Sequence, residues 1–261
     1  MSTSAKLRLA LLQTEQVWED SEANLSLMDH WLKSLKVPVD LIVLPEMFNT
    51  AFTMNAESVA QTMEGPAVRW LVSRSEEYDT AICASMIIAE NGEYYNRYFH
   101  VVKGKIEVTY DKRHRFRMAG EHTVFSAGKD RPEIELAGWK IMPRVCYDLR
   151  FPVWNRSYAF DLQVYVANWP AARVDAWDKL LMSRAIENQC YVVGVNRIGT
   201  DGKNIEYSGH SIVIDPKGNA LTPEKNESRG WIYAEIEKEP LEDFRKNFPL
   251  HMDADLFRIL E

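Results

Sequence analysis

Apolar residues recur along this chain at alternating and at three-to-four spacings, in an order that predicts strands interleaved with helices. Leu9-Ala10-Leu11-Leu12-Gln13-Thr14 reads as a first strand, followed by a helix over 24–36 whose Leu25, Met28, Leu32 and Leu35 share one face. A short apolar run from Leu41 to Leu44 passes through Pro45 into Glu46, and Pro66 opens another helix. Runs over 81–89 and 94–102 flank Asn91-Gly92, a strong hairpin signal. Beyond Cys146 the pattern predicts a helix over 154–160, a strand over 162–167, a helix over 174–188 and a strand over 190–196. Segments 210–214 and 231–236 then read as a second hairpin, across a connection containing Pro216-Lys217-Gly218. This alternation predicts an α/β fold, with helices layered on a mixed sheet. No repeat, linker or low-complexity segment interrupts it, so residues 1–261 read as one domain. Residues 241–261 form a C-terminal tail in which Phe244, Phe248, Leu256 and Phe257 mix with charges. The tail either packs across a partner subunit or caps its own fold.

Three predicted strand ends carry chemistry. Cys146 stands where the apolar run ending at Val145 stops and a helix is expected to begin. A thiol on such a turn lies beside backbone N–H groups and a positive dipole end, which favour thiolate and oxyanion alike. Spacing alone still favours an ordinary core cysteine, because free cysteines usually pack as small hydrophobes. What shifts the balance is upstream. Glu46 closes the Leu41–Leu44 run, and Lys112 follows the strand-like Ile106-Glu107-Val108-Thr109. A carboxylate can take the thiol proton, a thiolate can attack a carbonyl carbon, and a lysine kept charged by carboxylates can stabilise the oxyanion. Together they suit amide hydrolysis through a thioester.

In this order the residues resemble the nitrilase (carbon-nitrogen hydrolase) superfamily, over nearly the whole chain. The motifs are Leu44-Pro45-Glu46-Met47-Phe48, Tyr110-Asp111-Lys112-Arg113-His114, Cys146-Tyr147-Asp148-Leu149-Arg150-Phe151-Pro152 and Arg184-Ala185-Ile186-Glu187-Asn188. Phe116-Arg117-Met118-Ala119-Gly120-Glu121-His122 and Ala167-Asn168-Trp169-Pro170 resemble the omega-amidase branch. The resemblance implies a four-layer αββα sandwich, commonly assembled as a homodimer or higher homo-oligomer. It implies a small-molecule amide substrate, the ω-amide of a dicarboxylic acid such as α-ketoglutaramate or succinamate, released as dicarboxylate and ammonia. It assigns Glu46 as base, Lys112 as oxyanion stabiliser, Cys146 as nucleophile and Glu121 as a second glutamate positioning lysine or substrate. The Tyr147 backbone N–H would complete the oxyanion hole. Within the superfamily the alternative is an N-carbamoyl compound or another amide; outside enzymes, it is a binding or scaffold protein on the same fold.

The free carboxylate of such a substrate requires a cation, for which arginine's bidentate fork is suited. Arg173, after Asn168-Trp169-Pro170-Ala171-Ala172, is the first candidate and Arg117 the second; Phe116, Trp169 and Met118 are candidate pocket walls. Asp148 and Arg150 are expected to brace the turn as an ion pair, as are Arg184 and Glu187 at helical spacing. Arg144, two residues before Cys146, should share its face in an extended strand. It either meets a carboxylate or acts on the thiol there, or snorkels outward.

Composition narrows the partners. With 46% hydrophobic and 26% charged residues, 261 residues suffice for a large core without a disordered bias. A net charge of −7 argues against a nucleic-acid surface, Lys112-Arg113-His114-Arg115 with Arg117 being the only dense basic run. Met1-Ser2-Thr3-Ser4-Ala5-Lys6 leads into a strand without a signal-like apolar region, and no stretch is long enough to span a bilayer, so a cytoplasmic location without a membrane partner is expected. Cys83, Cys146 and Cys190 show no paired spacing, with Cys83 and Cys190 expected as inert core. The histidines lack His-x-x-x-His spacing, and glycine-rich phosphate and dinucleotide motifs are missing, so neither metal nor cofactor is expected.

Overall fold

A period of two along the strands decides which layer each residue joins. The computed structural model describes residues 6–259; residues 1–5 and 260–261, which carry the start of the N-terminal reading and the end of the C-terminal tail, lie outside the described residues. In order run β1 (Lys6–Gln13), α1 (Ser21–Lys33), β2 (Leu41–Val43), α2 (Ala56–Val59), α3 (Pro66–Glu77), β3 (Ala81–Glu90), β4 (Glu93–Val102) and β5 (Lys105–Asp111). Next come α4 (Glu121–Val124), β6 (Ile134–Leu136), β7 (Trp139–Val145), α5 (Pro152–Asn155), β8 (Leu162–Ala167), α6 (Val174–Asn188) and β9 (Tyr191–Asn196). The chain closes with β10 (Ile198–Thr200), β11 (Glu206–Ser208), β12 (Ile212–Ile214), β13 (Gly230–Glu237) and α7 (Lys238–Asn247).

Two mixed sheets result, ordered β13-β1-β2-β3-β4-β5 and β12-β9-β8-β7-β6, with β10 and β11 as a separate ribbon. Leu9, Leu11, Leu41, Val43 and Cys83 point inward and share a core with Val145, Val164 and Val166 of the other sheet. Their alternates Ala10, Leu12, Ile42, Leu44 and Ala84 point outward, under Met28 and Leu32 of α1 and Val68 and Leu71 of α3. Trp177, Leu181 and Ala185 of α6 cover the second sheet. The product is the four-layer αββα sandwich. Its parallel connections, β1-α1-β2 and β8-α6-β9 among them, carry the helices to the outer faces. No helix among the described residues is long and apolar enough to cross a membrane.

The hairpin at Asn91-Gly92 forms, with Glu90 opposite Glu93 and φ of 53° and 81° at the two turn residues, the left-handed pair that a tight two-residue turn requires. Two expectations fail. Residues 210–214 and 231–236 are not a hairpin: β12 pairs antiparallel with β9, whereas β13 pairs antiparallel with β1 in the other sheet. The fully buried Val213 and Ile214 belong to the interior of one layer, while β13 alternates buried with exposed positions at the edge of the other. The helix expected over 154–160 stops at Asn155. The Asn155 carboxamide turns back to donate to the carbonyls of Asp148 and Phe151 (2.6 and 2.9 Å), and Arg156 continues extended.

The tail is partly accounted for within the chain. Arg245 Nε donates to Gln189 O at 2.8 Å and Gln189 Nε2 to Phe248 O at 2.8 Å, fastening α7 to the end of α6. Phe248, Met252, Leu256 and Phe257 remain exposed.

His100 of β4 is fully buried, and neither ring nitrogen finds a partner among the described residues. Burial pushes its imidazole down to about 4. A depressed histidine adds stability that is complete above its unfolded value and lost as pH falls from about 6.5 toward 4, roughly 3 kcal/mol over that window. Urea unfolding at neutral pH and near pH 4 should show that loss in the wild type and a smaller slope in His100→Leu. Equal slopes in both would contradict this origin.

Candidate active site

Glu46 follows β2, Lys112 follows β5 and Cys146 follows β7. The sandwich brings all three together with Glu121, the first residue of α4. Lys112 Nζ lies 2.9 Å from Glu46 Oε1 and 2.9 Å from Glu121 Oε1, all three side chains being essentially without solvent contact. The backbone N–H of Phe116 donates to the other oxygen of Glu121. Glu46 Oε1 also accepts from Asn96 Nδ2 at 2.8 Å, and its Oε2 accepts from the backbone N–H of Asn168 at 2.8 Å. The Cys146 thiol lies 3.8 Å from the carbonyl oxygen of Asn168, within reach for a weak sulfur donor.

Reversals at the strand ends make this convergence possible. Met47, directly after Glu46, and Cys146 itself both have φ of 43°, a left-handed conformation that costs an L-residue about 1–2 kcal/mol. Met47 is held there by its N–H donating to Ser85 Oγ at 3.0 Å. Cys146 opens a 3-10 turn through Arg150. Asp148 pins that turn: it accepts from Val145 N at 3.1 Å, Tyr110 OH at 2.8 Å and the backbone N–H of His114 at 3.0 Å, with the His114 ring 2.7 Å away. Although burial opposes the charge, His114, Arg144 and Tyr110 hold the Asp148 carboxyl below the usual range.

Asp148 therefore pairs with His114 and not, as expected, with Arg150. Arg150 instead lies over the Trp169 ring at 4.8 Å. Arg184 does pair with Glu187, at 2.7 Å, and also donates to the Leu149 carbonyl, bracing the turn from α6. Arg144 makes no direct ion pair with a carboxylate among the described residues and does not snorkel outward. It is fully buried, donating to Asn155 Oδ1 and to the carbonyls of Pro143 and Trp154, with Tyr110 and Trp154 rings beside it. The leading influences on the thiol are burial, Glu46, Lys112 and Glu121. The left-handed turn at Cys146 ends the strand alternation on which the shared-face expectation rested.

Charge balance follows from burial. Desolvation opposes the Lys112 ammonium, but Glu121 and Glu46 outweigh it and hold the lysine well above its ordinary range. The Glu121 carboxyl is pushed up by burial, aided by Glu46 and opposed by Lys112. Cys146 is pushed well above the ordinary thiol range by burial and then by Glu46, with Lys112 pulling the other way. Burial and Glu46 thus oppose the thiolate that dipole arguments favour. Cys83 and Cys190 are buried, both pushed up to about 12.

A cleft opens over Cys146 and Lys112, lined also by Phe52, Phe116, Tyr147, Arg150, Asn168, Trp169, Arg173, Ile205 and Tyr207. Arg173 stacks on Phe116 at 5.1 Å, and Trp169 Nε1 donates to the Arg173 carbonyl at 2.8 Å. Tyr147 packs between Phe116 and Phe151. Arg117 and Met118 stand exposed and outside this lining, Met118 at 82%. Sequence reasoning missed Arg150, spaced like a turn brace, and the neutral partners of Glu46, Asn96 and Asn168. It also missed Ile205 and Tyr207, delivered by the β10–β11 ribbon. Asn96 sits mid-strand with no local signal.

A two-sheet sandwich that seats a thiol beside a lysine shared by two carboxylates defines a carbon–nitrogen hydrolase scaffold. The chain belongs to the carbon-nitrogen hydrolase family, whose model matches residues 8–246, and is an amide-hydrolysing enzyme. It is 44% identical over 255 residues to the omega-amidase YafV of Yersinia enterocolitica (97% of this chain, 99% of that protein). It is 32% identical over 254 residues to the 2-oxoglutaramate amidase of Bacillus subtilis (95% and 97%). Among solved structures it resembles a CN-hydrolase superfamily protein from Xanthomonas campestris with an arsenic adduct in the active site, at 39% identity and a TM-score of 0.93, covering 97% of this chain and 99% of that one.

A Cβ on Gly128 would stand 1.9 Å from the Asp111 carbonyl oxygen, and the Gly128 N–H donates to the Lys112 carbonyl at 3.1 Å. Backbone cannot yield there without moving Lys112. Gly128→Ala should therefore lower stability by about 1–3 kcal/mol and reduce amidase turnover together. A variant with unchanged melting and turnover would contradict this packing.

Proposed function

We propose that this enzyme is an omega-amidase that hydrolyses the ω-amide of small dicarboxylic acid monoamides through a thioester on Cys146. The observation that carries the reading is the pairing within one cleft of the thiol and lysine with two arginines, Arg150 and Arg173, that stack on aromatic rings and engage no carboxylate among the described residues. Such guanidiniums suit a substrate carboxylate. The similarity to proteins named omega-amidase and 2-oxoglutaramate amidase supports the same class.

Glu46 takes the proton of the neutral thiol as sulfur attacks the amide carbon. The Lys112 ammonium and the Tyr147 backbone N–H stabilise the oxyanion. Collapse breaks the C–N bond, Glu46 returns the proton to nitrogen, and ammonia leaves. Water, deprotonated by Glu46, then attacks the thioester carbonyl, releasing the dicarboxylate and restoring the thiol. Glu121 holds Lys112 in place. Trp169 and Phe116 hold Arg150 and Arg173 against the cleft, while Arg117, exposed beside it, has no part in this reading.

Ammonia release from α-ketoglutaramate and succinamate, beside glutamine, asparagine, an N-carbamoyl amino acid and a simple nitrile, tests the class. Selective release from the first two, abolished in Cys146→Ala, is expected; activity confined to carbamoyl compounds or nitriles would discard the omega-amidase reading. Arg150→Ala and Arg173→Ala should raise KM for succinamate by roughly tenfold to a hundredfold, the worth of a charge-assisted hydrogen bond, and leave a neutral amide of similar length unaffected. Equal losses on both substrates would contradict carboxylate recognition.

A further inference from the structure

We propose that Asn96 is a positioning residue that binds base, lysine and second carboxylate into one unit and favours negative charge on Glu46. It lies in β4, almost fully buried, and outside the lining of the cleft. Its Nδ2 donates to Glu46 Oε1 at 2.8 Å and reaches Glu121 Oε1 at 3.5 Å, while its backbone carbonyl accepts the Lys112 N–H at 2.9 Å.

The orientation of this carboxamide is dictated, because carboxylate oxygens can only accept. The NH2 must face Glu46 and Glu121, which leaves Asn96 Oδ1 buried without a partner among the described residues. An orphaned acceptor is a cost that a purely space-filling residue would not carry. The same pattern recurs around Glu46. Asn168 Nδ2 and Gln16 Nε2 both donate to the Glu46 carbonyl, and Asn168 Oδ1 and Gln16 Oε1 are likewise unpartnered. Asn96 differs in reaching both carboxylates.

The groups facing Glu46 explain why a neutral donor matters. After β5 stands Lys112, on α4 Glu121, after β7 Cys146, and after β8 the neutral Asn168. Two carboxylates share one ammonium and repel each other, so the neutral donors beside them decide which one better holds negative charge. The amide is much closer to Glu46 than to Glu121 and biases that charge toward the base.

This inference rests on the reading of Glu46 as base, and the test separates the two. In the full-length enzyme, Asn96→Leu and the isosteric Asn96→Asp are compared with wild type and Glu46→Gln for kcat and KM on succinamate across the acid limb of the pH profile. Both Asn96 variants should lose about tenfold to a hundredfold in kcat with KM nearly unchanged. Their acid limb should move to higher pH, further in Asn96→Asp, because losing a donor or gaining a carboxylate each favours the protonated base. A folded variant whose acid limb does not move, or whose loss lies in KM, would overturn the proposal, as would lost activity that merely follows lost thermal stability. If Asn96→Leu does not fold, Asn96→Asp decides alone. Wild-type turnover in Glu46→Gln would instead overturn the assignment of the base.

Discussion

A lysine ammonium held out of water between two buried carboxylates is the interaction on which the site depends. Lys112 bonds at 2.9 Å to Glu46 and to Glu121, with no solvent to replace either partner. Removing one member of such a pair leaves an uncompensated buried charge, typically costing about 3–5 kcal/mol. A buried ion network of this kind is weak evidence of a contribution to stability, since apolar replacements often do as well. In the proposed reaction it fixes a cation where negative charge develops, and a carboxylate where a proton is taken up and returned. The thiol belongs to the same balance: burial and Glu46 push Cys146 well above the ordinary thiol range, against the pull of Lys112.

The fold supplies this arrangement by ending strands of two facing sheets at one place. Glu46 and Lys112 come from the first sheet, Cys146 and Asn168 from the second. The turn after Cys146 is tied from three sides, by Tyr110 and His114 through Asp148 and by Arg184 through the Leu149 carbonyl. Left-handed backbone at Met47 and Cys146 is tolerated because these bonds and the packing around them over-determine it. The rigidity of the turn that carries Cys146 therefore derives from residues that do not line the cleft.

Much of this was legible in sequence for a local reason. The apolar runs ending at Glu46, Lys112 and Cys146 mark strand ends, Asn91-Gly92 marks its own turn, and the helix over 174–188 has the expected bounds. What escaped is non-local. The choice between sheets for β12 and β13 depends on packing partners far along the chain. Asn155 ends its helix by bonds to Asp148 and Phe151 that depend on the turn preceding it. The expected Asp148–Arg150 pair does not form because the turn after Cys146 is 3-10 and points the carboxylate back to His114. Asn96 looks like any polar residue in a strand until Glu46, fifty positions earlier, closes on it.

The covalent step tests the account most directly. Wild-type enzyme mixed with succinamate and quenched in acid within a turnover should show, by intact-mass and peptide mass spectrometry, a succinyl thioester on Cys146, formed as ammonia is released and absent in Cys146→Ala. Continued ammonia release without an adduct, or an adduct on Cys83 or Cys190, would contradict it.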